Sequence, residues 1–134
     1  MQIKNILLVE DERINVLAVQ KGFSKVNNDS ILTAFDTAEK ALEYLRGNDT
    51  KPEIIMLDLN LPKMNGIDFL KIIKEDPILK QIPVIVLTTS ENPAHKLNCF
   101  DLQVAGYFIK PIDYFDLISS VWNYWTKSEL VQMD

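Results

Sequence analysis

Two kinds of segment take turns along the chain: short runs that are apolar at every position, and longer stripes at helical spacing. Ile6-Leu7-Leu8-Val9, Ile54-Ile55-Met56-Leu57 and Val84-Ile85-Val86-Leu87 are unbroken apolar runs, the pattern of strands buried on both faces. Ile31 to Phe35 and Val104 to Ile109 are two further strand-like runs. Between them lie the stripes. Arg13 to about Phe23 carries Ile14, Leu17 and Ala18 together with Val16, Val19 and Phe23, a wide apolar helix face. Asp36-Thr37-Ala38-Glu39 has capping-box spacing, which predicts Asp36 as a cap accepting from the Glu39 amide. The helix it opens has the stripe Ala38, Ala41, Leu42 and Leu45, and Gly47-Asn48 closes it. Ile67 to about Glu75 is helical, with Phe69, Leu70, Ile72 and Ile73 apolar, and Asp76-Pro77 stops it. Pro93 to Leu102 predicts a weaker helix, and Asp113 can cap a last one from about Tyr114 to Lys127.

The connections are short. Asn27-Asn28-Asp29-Ser30 is a turn cluster. Pro62-Lys63-Met64-Asn65-Gly66 is loop, where Asn-Gly suits the positive φ angles of a tight turn. A strand followed by a helix, repeated five times, predicts an α/β fold with a parallel sheet, helices on both faces and right-handed crossovers.

Composition narrows the class. A chain of 134 residues fits one compact domain, expected over residues 1–127 with an acidic tail at 128–134. The net charge of −5, with Lys and Arg scattered, gives no pull toward nucleic acid or an anionic membrane. No apolar segment approaches membrane-spanning length, and no signal-peptide pattern opens the sequence. A single cysteine, Cys99, excludes an internal disulfide and suits a reducing compartment. The expectation is a cytoplasmic domain.

The chemistry collects where strands end. Glu10 and Asp11 follow the first strand, Asp58 the third, Thr88 the fourth and Lys110 the fifth. Alone, Asp58 before Asn60 and Pro62 reads equally well as a turn-forming residue or as a ligand at a sheet's carboxyl edge. In a parallel sheet, however, all these residues share one edge. Crowded carboxylates repel one another and call for a cation, and oxygen donors suit a hard ion such as magnesium. Magnesium, a lysine and a hydroxyl together can clamp a phosphoryl group, and a carboxylate there can be its acceptor. Asp58, on the central strand, is the best placed.

These same residues carry a resemblance. Leu8-Val9-Glu10-Asp11, Met56-Leu57-Asp58-Leu59-Asn60-Leu61-Pro62 with Asn65-Gly66, Val86-Leu87-Thr88 and Tyr107-Phe108-Ile109-Lys110-Pro111 resemble the ordered motifs of response-regulator receiver domains. The resemblance implies a flavodoxin-like (βα)5 sandwich with strand order 2-1-3-4-5. It implies that Asp58 takes a phosphoryl group from a sensor histidine kinase or a histidine phosphotransfer protein. Asp11 and Asp58 would hold Mg2+ through side chains and Asn60 through its carbonyl, with Glu10 contributing directly or through a water. Thr88 and Lys110 would bind the phosphoryl oxygens. Tyr107 matches the family's aromatic switch, coupled to Thr88, and Lys110-Pro111 matches a peptide bond often cis in the family. A domain of this kind without an output domain would signal through the face of its fourth helix, fifth strand and fifth helix.

Competing readings are weaker. An aspartate-phosphorylating hydrolase of the haloacid-dehalogenase type places a second aspartate two residues after the first, where this chain has Asn60. No P-loop or G-x-G-x-x-G sequence is present. A receiver-like module that only binds partners, independently of phosphorylation, predicts a damaged site, and every key position here is filled. His95 reads as a solvated helix residue and Cys99 as a small buried one. The last helix carries Phe115, Leu117, Ile118, Val121, Trp122, Tyr124 and Trp125, more apolar surface than one face needs. It serves either as core plus cover for the sheet rim or as a docking patch. Together with Thr88-Thr89-Ser90-Glu91-Asn92 and the run from Asn98 to Tyr107, it is similar to stand-alone receivers that partner bacterial phytochrome-type kinases and dimerise through this side.

Overall fold

The computed structural model describes residues 5–26 and 29–122. Five parallel strands, β1 (Asn5–Val9), β2 (Ile31–Phe35), β3 (Ile54–Leu57), β4 (Val84–Thr88) and β5 (Gly106–Ile109), form one sheet in the order 2-1-3-4-5. The helices are α1 (Arg13–Val26), α2 (Ala38–Gly47), α3 (Gly66–Glu75) and α4 (Pro93–Asp101). Residues 114–122 open a fifth helix, α5. The expected end at Lys127, the side chains of Tyr124 and Trp125, the tail at 128–134, and Asn27-Asn28 of the turn cluster lie outside the described residues.

The unbroken apolar strands are explained by two cores. Alternate residues of each strand face opposite ways, so Leu7, Val9, Ile55, Leu57, Val84 and Val86 meet α2, α3 and Cys99 of α4 on one side. Ile6, Leu8, Ile54, Met56, Ile85 and Leu87 meet Val16, Val19 and Phe23 of α1 and Leu117, Ile118 and Val121 of α5 on the other. Among the described residues, no helix is long and apolar enough to cross a membrane.

Several local expectations change. The buried stripe of α1 is narrower than its sequence suggests: Ile14 is 74% and Leu17 48% exposed. Its contact face instead includes Gly22, where an added Cβ would lie 2.6 Å from the Ile118 Cδ1 of α5. The cap of α2 is Thr37, whose hydroxyl accepts from the Lys40 amide; Asp36 pairs with the Lys40 ammonium at 2.9 Å. Asn65-Gly66 does not form a positive-φ turn, since that conformation falls on Lys63 (φ 60°) and Gln103 (φ 59°). Asn65 caps α3 by accepting from the Asp68 amide, while Gly66 is required by close approach to the Asp58 and Leu59 backbone. A short 3-10 turn at Leu79–Gln81, absent from the sequence reading, joins α3 to β4. β5 begins at Gly106 rather than Val104: the paired register with β4 starts at Ile85 and Gly106, preceded by a single bond from the Ala105 amide to the Val84 carbonyl.

Candidate functional site

Backbone bonds one step beyond the strands place the site residues. The Glu10 amide donates to the Phe35 carbonyl at 3.0 Å, the Asp58 amide to the Val9 carbonyl at 3.0 Å and the Lys110 amide to the Thr88 carbonyl at 2.7 Å. The sheet ladder therefore continues far enough to hold the first residue after β1, β3 and β5 at one edge. Glu10, Asp58 and Thr88 are 3%, 4% and 0% exposed, whereas Asp11 is open to solvent.

One carboxylate oxygen from each of Glu10, Asp11 and Asp58 lies within 4.8 Å of the others. Oxygen donors at that spacing, with no sulfur or imidazole among them, are those of a hard divalent cation. Lys110 reaches into the same cluster. Its ammonium donates to Glu10 Oε1 at 2.6 Å and to Asp58 Oδ2 at 3.2 Å. The remaining oxygens are also engaged: Glu10 Oε2 accepts from the Glu12 amide at 3.1 Å and Asp58 Oδ1 from the Asn60 amide at 2.9 Å. The peptide bond between Lys110 and Pro111 is cis, matching the family's pattern.

Burial raises the Glu10 pKa and the Asp58 charge adds to this, against hydrogen bonds from Lys110 and the Glu12 amide that pull the other way. For Lys110, burial opposes the charge, but the bond to Glu10 and the charges of Asp58 and Glu10 outweigh it and hold the ammonium above the ordinary lysine range. The cluster is an interdependent set of buried charges, each needing the other.

The opposite wall comes from β4 and its following loop. Asn60 donates to Thr89 Oγ1 at 2.7 Å and approaches Thr88 Oγ1 at 3.4 Å. Thr88 Oγ1 accepts from the Ser90 amide at 3.1 Å. Tyr107 is half-buried against the core, and its hydroxyl donates to the Ser90 carbonyl at 3.1 Å. Burial pushes the Tyr107 hydroxyl pKa up, partly countered by Ser90. A crevice of about 520 Å3 opens beside the acids, lined among others by Glu10, Asp11, Arg13, Phe35, Asp36 and Lys40.

Glu10, Asp11, Asp58, Asn60, Thr88 and Lys110 thus lie together, with Tyr107 one hydrogen-bonded residue away. Two participants were not legible in the sequence. Thr89 gains its place only because the loop after β4 faces Asn60, across 29 residues of chain. His95 is not simply solvated, since its Nδ1 lies 2.6 Å from Ser90 Oγ. Neither contact follows a motif spacing.

Comparison with known proteins agrees with this fold. The response regulator receiver domain family matches residues 6–121. The chain is 35% identical over 133 residues to the response regulator Rcp1 of Synechocystis sp., covering 93% of this chain and 90% of that one. It is 33% identical over 133 residues to a probable methanogenesis regulatory protein, FilR2, of Methanothrix harundinacea, covering 92% and 86%. Among solved structures, the phosphorylated cyanobacterial phytochrome response regulator RcpA superimposes with a TM-score of 0.85 at 33% identity, covering 93% of this chain and 95% of that one. The Mn2+-bound form of Rcp1 does so at 0.82 and 35%, covering 91% and 94%. This chain belongs to the response regulator receiver domain family of two-component signalling proteins.

Proposed function

We propose that this receiver domain accepts a phosphoryl group on Asp58 from a sensor histidine kinase or histidine phosphotransfer protein, in a magnesium-dependent reaction. The observation that carries this reading is the Asp58 carboxylate. It is buried at the sheet edge with an ammonium 3.2 Å away and two further acids gathered around it. A carboxylate oxygen of Asp58 would attack phosphorus as the bond from phosphorus to the donor imidazole breaks, and the imidazole leaves. Glu10, Asp11 and Asp58, with the Asn60 carbonyl, would hold Mg2+. The ion supplies charge neutralisation to the phosphoryl oxygens when bound. Lys110 would exchange part of its pairing with Asp58 for a phosphoryl oxygen, and Thr88 would donate its hydroxyl to another.

The bond network also supports a switch. Drawing Thr88 toward a phosphoryl group would disturb the Ser90 amide it holds, and with it the carbonyl that meets Tyr107. Phosphorylation then shifts a population between two arrangements of the α4–β5–α5 face. That face carries exposed Leu97, Phe100, Phe108 and Phe115, which supports pairing with a second copy there. Exposed Ile14 and Leu17, in the first turns of α1 just beyond the acids, support docking of the phosphodonor protein. The setting is proposed to be the cytoplasm.

Intact mass after incubation with a small phosphodonor and Mg2+ tests the reading. The expected result is a gain of one phosphoryl group that Asp58→Asn abolishes, that chelation of the metal prevents, and that decays by self-catalysed hydrolysis. No gain in the wild type, the behaviour of a module that only binds partners, overturns it, as does labelling that survives Asp58→Asn. Sedimentation of wild type and Phe100→Ser with and without phosphodonor tests the pairing; a monomer at every concentration refutes it.

A further inference from the structure

Ser90, in the loop between β4 and α4, has all three of its polar groups engaged in different directions. Its amide donates to Thr88 Oγ1 at 3.1 Å. Its carbonyl accepts from the Tyr107 hydroxyl at 3.1 Å. Its hydroxyl lies 2.6 Å from His95 Nδ1 and accepts from the Asn92 amide at 3.3 Å. Ser90 is therefore the residue through which the two switch side chains communicate, and its orientation depends on what holds its hydroxyl.

The stronger of the two anchors is His95. The Asn92 contact is longer, at 3.3 Å, and comes from the backbone amide of the α4 cap, two residues along the chain. His95 stands in the first turn of α4, whose start is secured by the Asn92 side chain on the Ala94 amide at 2.9 Å and by the His95 amide on the Asn92 carbonyl at 3.1 Å. The ring is half-buried, so it meets Ser90 while remaining reachable from the α4 surface. A short hydrogen bond between a helix side chain and a loop hydroxyl restricts the adjoining carbonyl, and His95 is the side chain of α4 that supplies it.

We propose that His95 is a positioning residue for the switch: through the Ser90 hydroxyl it fixes the carbonyl that holds the Tyr107 hydroxyl. The inference rests on the switch role given above to Thr88 and Tyr107. It adds that α4 is coupled to that switch by one side chain. Coupling of this kind is reciprocal: a partner that covers α4 and shifts the imidazole loosens Tyr107, and a released Tyr107 frees the imidazole.

Fluorine NMR of the full chain labelled with meta-fluorotyrosine tests it, with the Tyr107 signal among the four tyrosines assigned by Tyr107→Phe. His95→Leu removes the bond. His95→Asn keeps a hydrogen-bonding atom where the ring Nδ1 stands. In His95→Leu the ratio of held to released Tyr107 is expected to fall about 3- to 10-fold, the equilibrium equivalent of one lost hydrogen bond. His95→Asn is expected to restore it, and Ser90→Ala to match His95→Leu with no further effect when the two are combined. A Tyr107 signal unmoved in His95→Leu overturns the proposal. So does a shift as large in His95→Asn, which would mean that the substitution acts by disturbing α4. The measurement is made without phosphodonor, so it stands or falls separately from labelling of Asp58, which His95→Leu should leave in place.

Discussion

Gly66→Ala gives the sharpest test of how the fold builds the site. A Cβ at position 66 would lie 2.5 Å from the Leu59 Cα and 2.7 Å from the Asp58 carbonyl oxygen. Ordinary carbon contacts begin near ~3.5 Å, so the overlap is about 1 Å and falls on backbone at both points. Neither atom can swing aside as a side chain would. Relief requires α3 to lift from the end of β3, and this also strains the bond from the Gly66 amide to the Leu59 carbonyl, 3.0 Å long. Overpacking of this kind costs about 1–3 kcal/mol and the weakened hydrogen bond about 1 kcal/mol. The helix preference of alanine over glycine returns up to about 1 kcal/mol. A net loss of about 1–3 kcal/mol follows, or a fall in Tm of roughly 4–12 °C for a chain of this size. Urea denaturation followed by circular dichroism measures it, and phosphodonor labelling of the folded protein should slow because the displaced backbone carries Asp58. Gly22→Ala is the control. There the close approach, 2.6 Å, is to Ile118 Cδ1, the far end of a side chain, and the nearest backbone atom, the Tyr114 carbonyl oxygen, is 3.3 Å away, so the net change should stay within about 1 kcal/mol. Equal stability of the two variants would refute the argument, because backbone and side-chain overlaps would then be interchangeable.

Lys110→Met leaves the Glu10 and Asp58 side chains, 2% and 5% exposed, without their cation; about 2–4 kcal/mol of stability should be lost in urea titrations. Added Mg2+ should recover part of it, and a variant as stable as wild type without Mg2+ would contradict the mutual dependence of these charges. Because the Glu10 pKa is raised in the fold, the folded protein binds more protons than the unfolded chain between the unfolded value, 4.5, and the folded one. Stability contributed by this group therefore falls as pH rises through that window. Glu10→Gln should remove this downward slope from a stability–pH curve, and a slope unchanged by the substitution would rule Glu10 out as its source. Thr37→Ala should cost about 1 kcal/mol by removing the α2 cap, whereas Asp36→Ala, which breaks only an exposed pair with Lys40, should leave the melting temperature close to that of the wild type. Thermal melts showing the reverse order would restore Asp36 as the cap.

Much of this molecule was legible in its residues because the relevant physics is local. Strands apolar on both faces can only sit between two layers, and Ile54 to Leu57 are buried at every position. Five strand–helix repeats force the polar residues that follow each strand onto a common edge. Glu10, Asp58, Thr88 and Lys110 meet there with no long-range information needed beyond the parallel sheet. The resemblance carried by those motifs supplied the strand order and the cis bond, which periodicity does not encode.

What the sequence left open depends on which surfaces meet. Ile14 and Leu17 are as apolar as Val16 and Val19, and the way α1 lies on the sheet leaves the first pair in water and buries the second. Asp36 and Thr37 are both capable caps; the turn out of β2 decides that Thr37 points at the free amides. Asn65-Gly66 suits a tight turn in isolation, yet tertiary packing makes one residue a cap and the other a gap for the Asp58 backbone. The Asn60 contact to Thr89 and the His95 contact to Ser90 have no spacing to announce them. Local propensity states what each residue can do, and the docking of α3 and α4 against the sheet edge selects which of those possibilities is used, because a hydrogen bond forms only between groups that folding has already brought face to face.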